Sequence, residues 1–320
     1  MRNMISALTL SPAIDKTVYI DGFRVDEVNK AQGCCQVPGS KGVNVARILA
    51  ACGVESVCFG FIGGEGGRYV ADALRADGVK SEFVDVDYDI RTNIKLVDLQ
   101  SGTYTDINFP GGTPSAQNLD ALRAKTRVLA RESALIALGG SVPPGVDERI
   151  YYELAQIANE EGARVSLDCY NAPLHHALQA KPLVIKPNLE ELEMTFGQRF
   201  ATLEAIVDKA QALCRDGIEN VLVSLGADGA VAVCGGDVFR LYTDDLPVYN
   251  TVGAGDAFLS GFLYGWKNGM DTMTCLRHCI SFSQAVVSSR ADEDKTLAQL
   301  TKYVPTARVE PIYTQGGARG

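Results

Sequence analysis

The stretch Thr251-Val252-Gly253-Ala254-Gly255-Asp256 sets two glycines and an alanine just ahead of a carboxylate, and Phe258, Phe262 and Trp266 follow at helical spacing beside Leu259 and Leu263. The spacing predicts a helix that begins near Asp256 and carries a wide apolar face. The small residues before it leave successive backbone N–H groups unshielded at the positive end of that helix. Such groups bind phosphate oxygens and stabilise the charge that shifts during phosphoryl transfer. Asp256 then has two readings. A lone carboxylate in a first turn is favoured simply as a helix cap; beside a phosphate cradle it is also placed to accept a proton from an attacking hydroxyl.

A second constellation is Pro38-Gly39-Ser40-Lys41-Gly42-Val43-Asn44, followed by Val45, Ile48, Leu49 and Cys52 on one helical face and closed by Gly53. Lys41 can reach an anion at the start of this helix and Asn44 can bond a hydroxyl; the plain alternative is a solvated loop lysine. The chain has no GxxxxGK[ST] stretch, so it is not a P-loop enzyme. It also has Ser11-Pro12-Ala13-Ile14-Asp15 where a dinucleotide dehydrogenase needs GxGxxG at its first strand–helix turn.

What must position these groups is legible from the order of apolar runs. Ile5 to Leu10, Ser56 to Phe61, Ala134 to Leu138, Arg164 to Leu167, Leu183 to Ile185 and Val221 to Leu225 read as strands, most of them leading through Gly, Pro, Ser or Asp into a helical period. That alternation predicts a doubly wound, mainly parallel sheet in an α/β domain spanning 1–320. Two stretches, about 14–37 and 82–110, alternate without helices and are expected to form a small inserted β-sheet lid, the alternative being an extension of the main sheet. Ligands in such folds bind at the carboxyl ends of strands. The loops there are Ser11 to Asp15, Gly63-Gly64, Gly139 to Pro144, Asp168, Lys186 to Asn188 and Gly226 to Gly229. The tail Gln315 to Gly320 is expected to fray.

Composition narrows the classes further. With 320 residues, 46% hydrophobic and 22% charged, the chain has the make-up of a globular enzyme. A net charge of −9 speaks against a nucleic-acid surface, which needs dense positive charge. No apolar run is long enough for a membrane span, and a cytoplasmic location is expected. Nine cysteines, an odd count without a CxxC pair, read as reduced core thiols, including Cys275 and Cys279 beside His278.

Taken together, Gly39 to Ala46 and Thr251 to Asp256 resemble the two signatures of the PfkB, or ribokinase-like, family of sugar kinases. Six further collinear stretches look like its 1-phosphofructokinase and tagatose-6-phosphate kinase branch: Thr9 to Asp15, Arg91 to Lys95, Thr105 to Phe109, Gly140 to Val146, Lys186 to Leu192 and Ser224 to Ala230. The resemblance implies a ribokinase-like three-layer fold and a kinase that uses Mg-ATP to convert fructose 1-phosphate into fructose 1,6-bisphosphate, or else acts on tagatose 6-phosphate. It implies Asp256 as base, with the N–H groups of Gly253, Ala254 and Gly255 as anion hole. It places Asp15, Gly39 and Asn44 on the sugar, and Lys41, Arg91 and Ser141 on the sugar's phosphate. Lys186, Ser224, Gly226 and Gly229 would line the ATP site, and Asn188 with Glu191 would organise Mg²⁺, chiefly through water. A homodimer paired through the lid is a further implication. Three residues depart from the family pattern: Ser11, Ser40, and Asn250, which stands near a monovalent-cation site in some relatives and puts potassium activation in question. A kinase of unphosphorylated sugars or nucleosides would leave Lys41 and Arg91 without a partner, and a non-catalytic sugar-binding protein has no need of Asp256.

Overall fold

The computed structural model describes residues 2–313 apart from 244–245, 250, 291–292 and 294; Asn250 and the tail from Gln315 therefore lie outside the described residues. β1 (Met4–Thr9) runs directly into β2 (Ala13–Ile20) and β3 (Ala31–Gly39), and α1 (Lys41–Ala51) follows. β4 (Ser56–Ile62), α2 (Gly64–Ala76) and β5 (Lys80–Asp85) make a βαβ unit, after which come β6 (Arg91–Asp98), β7 (Thr103–Ile107) and α3 (Ala116–Glu132). Strands and helices then alternate through β8 (Ser133–Gly139), α4 (Ile150–Glu160), β9 (Arg164–Asp168), α5 (Asn171–Ala177), β10 (Val184–Ile185), α6 (Leu189–Phe196), α7 (Leu203–Arg215) and β11 (Asn220–Ser224). β12 (Ala230–Cys234), β13 (Asp237–Tyr242), α8 (Ala254–Lys267), α9 (Thr272–Val287), α10 (Leu297–Leu300) and β14 (Arg308–Tyr313) complete the described chain.

Ten strands form the main sheet in the order β14-β13-β12-β11-β10-β9-β8-β1-β4-β5. Every neighbouring pair from β5 to β11 is parallel, and β12 to β14 extend it in antiparallel fashion. The six apolar runs of the sequence all fall in the parallel part. Helices cover both faces, which is why these strands read as unbroken apolar runs. In β1, Met4 and Leu8 point into a core with Phe59, Leu122 and Leu154, while Ile5 and Ala7 point into the opposite core with Leu49, Val70 and Phe262.

The chain leaves β1 for β4 and β5 on one side and later crosses to β8 on the other. The topological switch point therefore lies at the carboxyl end of β1, where a doubly wound sheet opens a crevice for ligands. Out of this crevice grows a separate four-stranded sheet, order β3-β2-β6-β7. It takes two strands from each insertion, β2 and β6 pairing in parallel.

One expectation is corrected in detail. The stretch 82–110 does not go wholly to the small sheet: Lys80–Asp85 pairs in parallel with β4 in the main sheet. The reason is its position after α2, which completes a βαβ crossover, and the burial of Val84 in the core. Only the part from Arg91 onward joins β2.

Candidate active site

Gly253 takes the left-handed conformation, φ +79, as the N-cap of α8, and no side chain caps the helix. The Ala254 N–H reaches the Thr251 carbonyl only at 3.4 Å, and the first turn thus keeps N–H groups to offer a ligand. Asp256 lies inside that turn yet is only 7% exposed. Its carboxylate does not fold back on its own helix. Asn44 Nδ2, projecting from the first turns of α1, donates to Asp256 Oδ2 at 2.7 Å. Burial and the nearby charge of Asp168 raise the Asp256 pKa above the usual carboxylate range, against the lowering pull of Lys41, Asn44 and Lys186. A carboxylate held this way is chemically suited to take a proton.

Below the turn lies a charge network. Asp168, at the end of β9, is 2% exposed and accepts from Lys41 Nζ at 2.5 Å. Lys186 Nζ stands 3.4 Å from the other oxygen, Oδ2, an ion pair without a hydrogen bond. A Cβ on Gly255 would sit 3.2 Å from the Lys186 ammonium, so that charge lies directly against the turn. Lys41 also donates to Glu191 Oε1 at 3.3 Å. Burial works against the Lys41 charge, yet Asp168, Glu191 and Asp256 together push its pKa well upward.

α6 begins with a full capping box. Asn188 Oδ1 accepts from the Glu191 N–H at 2.7 Å, and Glu191 Oε2 accepts from the Asn188 N–H at 2.9 Å. A β-bridge ties Asn188 to Ser224 at the end of β11. The adjoining Gly226 and Gly229 are left-handed, φ +64 and +84; a Cβ at Gly229 would lie 2.2 Å from the Leu241 carbonyl oxygen, so the turn requires glycine. Lys186, Asn188, Glu191, Ser224 and this turn therefore share one side of the crevice.

On the lid side, Asn93 Nδ2 donates to Asp15 Oδ1 at 2.9 Å. Burial raises the Asp15 pKa, while Asn93, Arg91 and Lys95 pull it down. Gly39 packs so close that a Cβ there would meet the Asp15 carboxylate at 2.0 Å. Asp15, Asn44, Asn93 and Gly253 line one cavity of about 530 Å³ between lid and body. Arg91 Nη1 donates to the Phe109 carbonyl at 3.1 Å and Nη2 approaches Ser141 Oγ at 3.5 Å. Its Nε is buried without a partner, and burial lowers its pKa.

The residues singled out in the sequence thus converge on one crevice, with one displacement among them. Lys41 is not brought to Arg91 and Ser141; it faces Asp168 and Glu191. Two contributors went unassigned in the sequence. Asn93 is one, and strict alternation from Arg91 puts it on the same strand face. Asp168 is the other, and its only signal was a carboxylate ending an apolar run. Ser40 explains itself in strain: φ 121 and ψ 156 are a glycine conformation, costing on the order of 1–3 kcal/mol, and its hydroxyl is 2.7 Å from Thr9 Oγ1.

Many known proteins are similar to this chain, and three illustrate the likeness. A 1-phosphofructokinase of Rhodobacter capsulatus is 35% identical, over 96% of this chain and 99% of its own length. One from Borreliella burgdorferi is 32% identical, over 97% of this chain and 100% of its own. A Thermotoga maritima structure, described as a possible 1-phosphofructokinase, superposes with a TM-score of 0.87 at 26% identity, covering 97% and 100% of the two chains. The family model for pfkB family carbohydrate kinases matches residues 8–297, which takes in both signatures, the lid strands and the charge network between them, and the chain belongs to that family.

Proposed function

We propose that this chain is a 1-phosphofructokinase, transferring the γ-phosphoryl group of ATP to the 6-hydroxyl of fructose 1-phosphate. The observation that carries this reading is the near-full-length identity, 31–35%, to three 1-phosphofructokinases. On this reading each group has a part. Asp256 accepts the hydroxyl proton as the oxygen attacks, and the N–H groups of Gly253, Ala254 and Gly255 hold the moving phosphoryl oxygens. Asp15, Gly39 and Asn44 orient the sugar, and Arg91 with Ser141 takes its phosphate. Lys41 and Lys186, pinned by Asp168, place positive charge where the transferred group passes.

Lys186, Ser224, Gly226 and Gly229 line the nucleotide side. The oxygen donors of Asn188, Glu191 and Asp168 suit Mg²⁺. Among the described residues no three acidic, His or Cys side chains form a metal cage, which fits an ion that brings phosphate and water ligands with it. Bound there, Mg²⁺ would neutralise charge on the nucleotide phosphates. The nine free cysteines suit a reducing cytoplasm. No described helix is long and apolar enough to cross a membrane. On the β2–β3 connection, Val25 and Val28 are 79% and 92% exposed, which supports pairing of two copies through their lids.

Asp256→Asn tests the assignment. The amide keeps size and hydrogen bonding but loses the base, so turnover of fructose 1-phosphate is expected to fall by roughly 10² to 10⁴ with little change in sugar affinity. Near-wild-type turnover would remove Asp256 as the base.

A further inference from the structure

Arg91, Asn93 and Lys95 alternate along β6 and share one face of the lid. Pairing sets Asp15 beside Asn93 and Thr17 beside Lys95, with Asp106 of β7 on the other flank of Lys95. Lys95 lines the same cavity as Asp15, Asn44 and Gly253. Its side chain is only 12% exposed, unusual for a lysine on an open sheet. Its company within the chain is weak. Asp106 Oδ1 stands 3.6 Å from the ammonium and is itself on a side chain 56% exposed, too far for a hydrogen bond and worth little as a screened ion pair. The Tyr104 ring centre is 5.6 Å away. Three N–H donors thus hang over the cavity without a hydrogen bond to any described residue.

A ketohexose phosphate brings a dianion into this space, and Lys41 is committed to Asp168 and Glu191. Arg91 would then meet the dianion with one positive charge. Arg91 and Lys95 stand on either side of Asn93 along β6 and both act on the charge of Asp15, Arg91 from the Ser141 side and Lys95 from the Asp106 side. We propose that Lys95 is a specificity-determining residue, donating to the phosphate oxygens of the sugar substrate beside Arg91, with Asp106 holding the ammonium over the cleft until substrate arrives. The enzyme would thereby favour a phosphorylated ketose over a neutral one.

This inference rests on the sugar-phosphate kinase reading. The test compares wild type, Lys95→Met, Lys95→Arg and Asp106→Asn, measuring KM for fructose 1-phosphate and for ATP, kcat and Tm. A charge-assisted hydrogen bond lost from the sugar site raises KM for fructose 1-phosphate about tenfold or more in Lys95→Met, leaves KM for ATP within about twofold, and is largely rescued by Lys95→Arg. Asp106→Asn, which keeps the ammonium, gives a smaller rise. An unchanged KM in Lys95→Met overturns the role of Lys95. So does a parallel loss in Lys95→Met and Asp106→Asn with KM for both substrates rising and Tm falling, because the pair would then only hold the lid together. A wild-type enzyme inactive on fructose 1-phosphate would instead defeat the kinase reading itself.

Discussion

Asp256 was the ambiguous residue of the sequence, since a first-turn carboxylate caps helices without doing chemistry. Its bond to Asn44 rather than to its own helix, and its burial, favour the base. The raised pKa gives a pH dependence with a definite sign. Asp256 must be unprotonated to accept a proton, and burial with Asp168 lifts its pKa, so kcat falls on acidification above the ordinary carboxylate range of about 4. Removing the Asp168 charge reverses one of the two causes. In Asp168→Asn the acid limb of the kcat–pH profile is expected to move to lower pH, whatever happens to its height; a limb that stays put or moves up would show that Asp168 does not act on Asp256. The sequence pointed to Asp15, Asn44, Arg91 and Asp256 because each lies in a short motif with its own spacing. It marked Asp168 only as a carboxylate at a strand end, because the partner of that carboxylate, Lys41, is 127 residues away. The resemblance grouped Lys41 with Arg91 and Ser141, and the structure sets it against Asp168 and Glu191; a lysine at the start of a helix does not announce which carboxylates the strand order will bring beneath it.

At the scale of elements, the start of α8 was legible from its small residues and apolar period, while at the start of α6 the structure turns the Asn188 and Glu191 spacing into a capping box. The lid was legible only in part. Alternation marks strands but not the sheet they join, and β5 went to the main sheet because α2 precedes it. Nor does the sequence show how tightly α1 lies on β1, where a Cβ on Gly42 would come within 2.1 Å of the Leu8 carbonyl oxygen. If the lids pair between subunits, Val28 leaves water in the dimer, and Val28→Asp places a charge there. Sedimentation at micromolar concentration is then expected to show wild type as a dimer and Val28→Asp shifted to monomer; identical sedimentation of the two would remove Val28 from any subunit contact.

The whole molecule is a doubly wound sheet whose switch point, lid and two helix starts meet in one crevice. Its layers were predictable from apolar runs, since strands buried on both faces leave a continuous signature. The antiparallel edge from β12 to β14 was not, because its pairing depends on long-range order. On the proposed reading, the crevice takes a ligand that fits both ends at once, a phosphate at Arg91 and a free hydroxyl at Asp256. Initial rates with Mg-ATP across fructose 1-phosphate, tagatose 6-phosphate and unphosphorylated fructose, with the product identified as fructose 1,6-bisphosphate, measure this directly. The expected result is a kcat/KM for fructose 1-phosphate at least about tenfold above either alternative, equivalent to roughly 1.4 kcal/mol of transition-state preference. Equal inactivity on both sugar phosphates, or a preference for the neutral sugar, would contradict it.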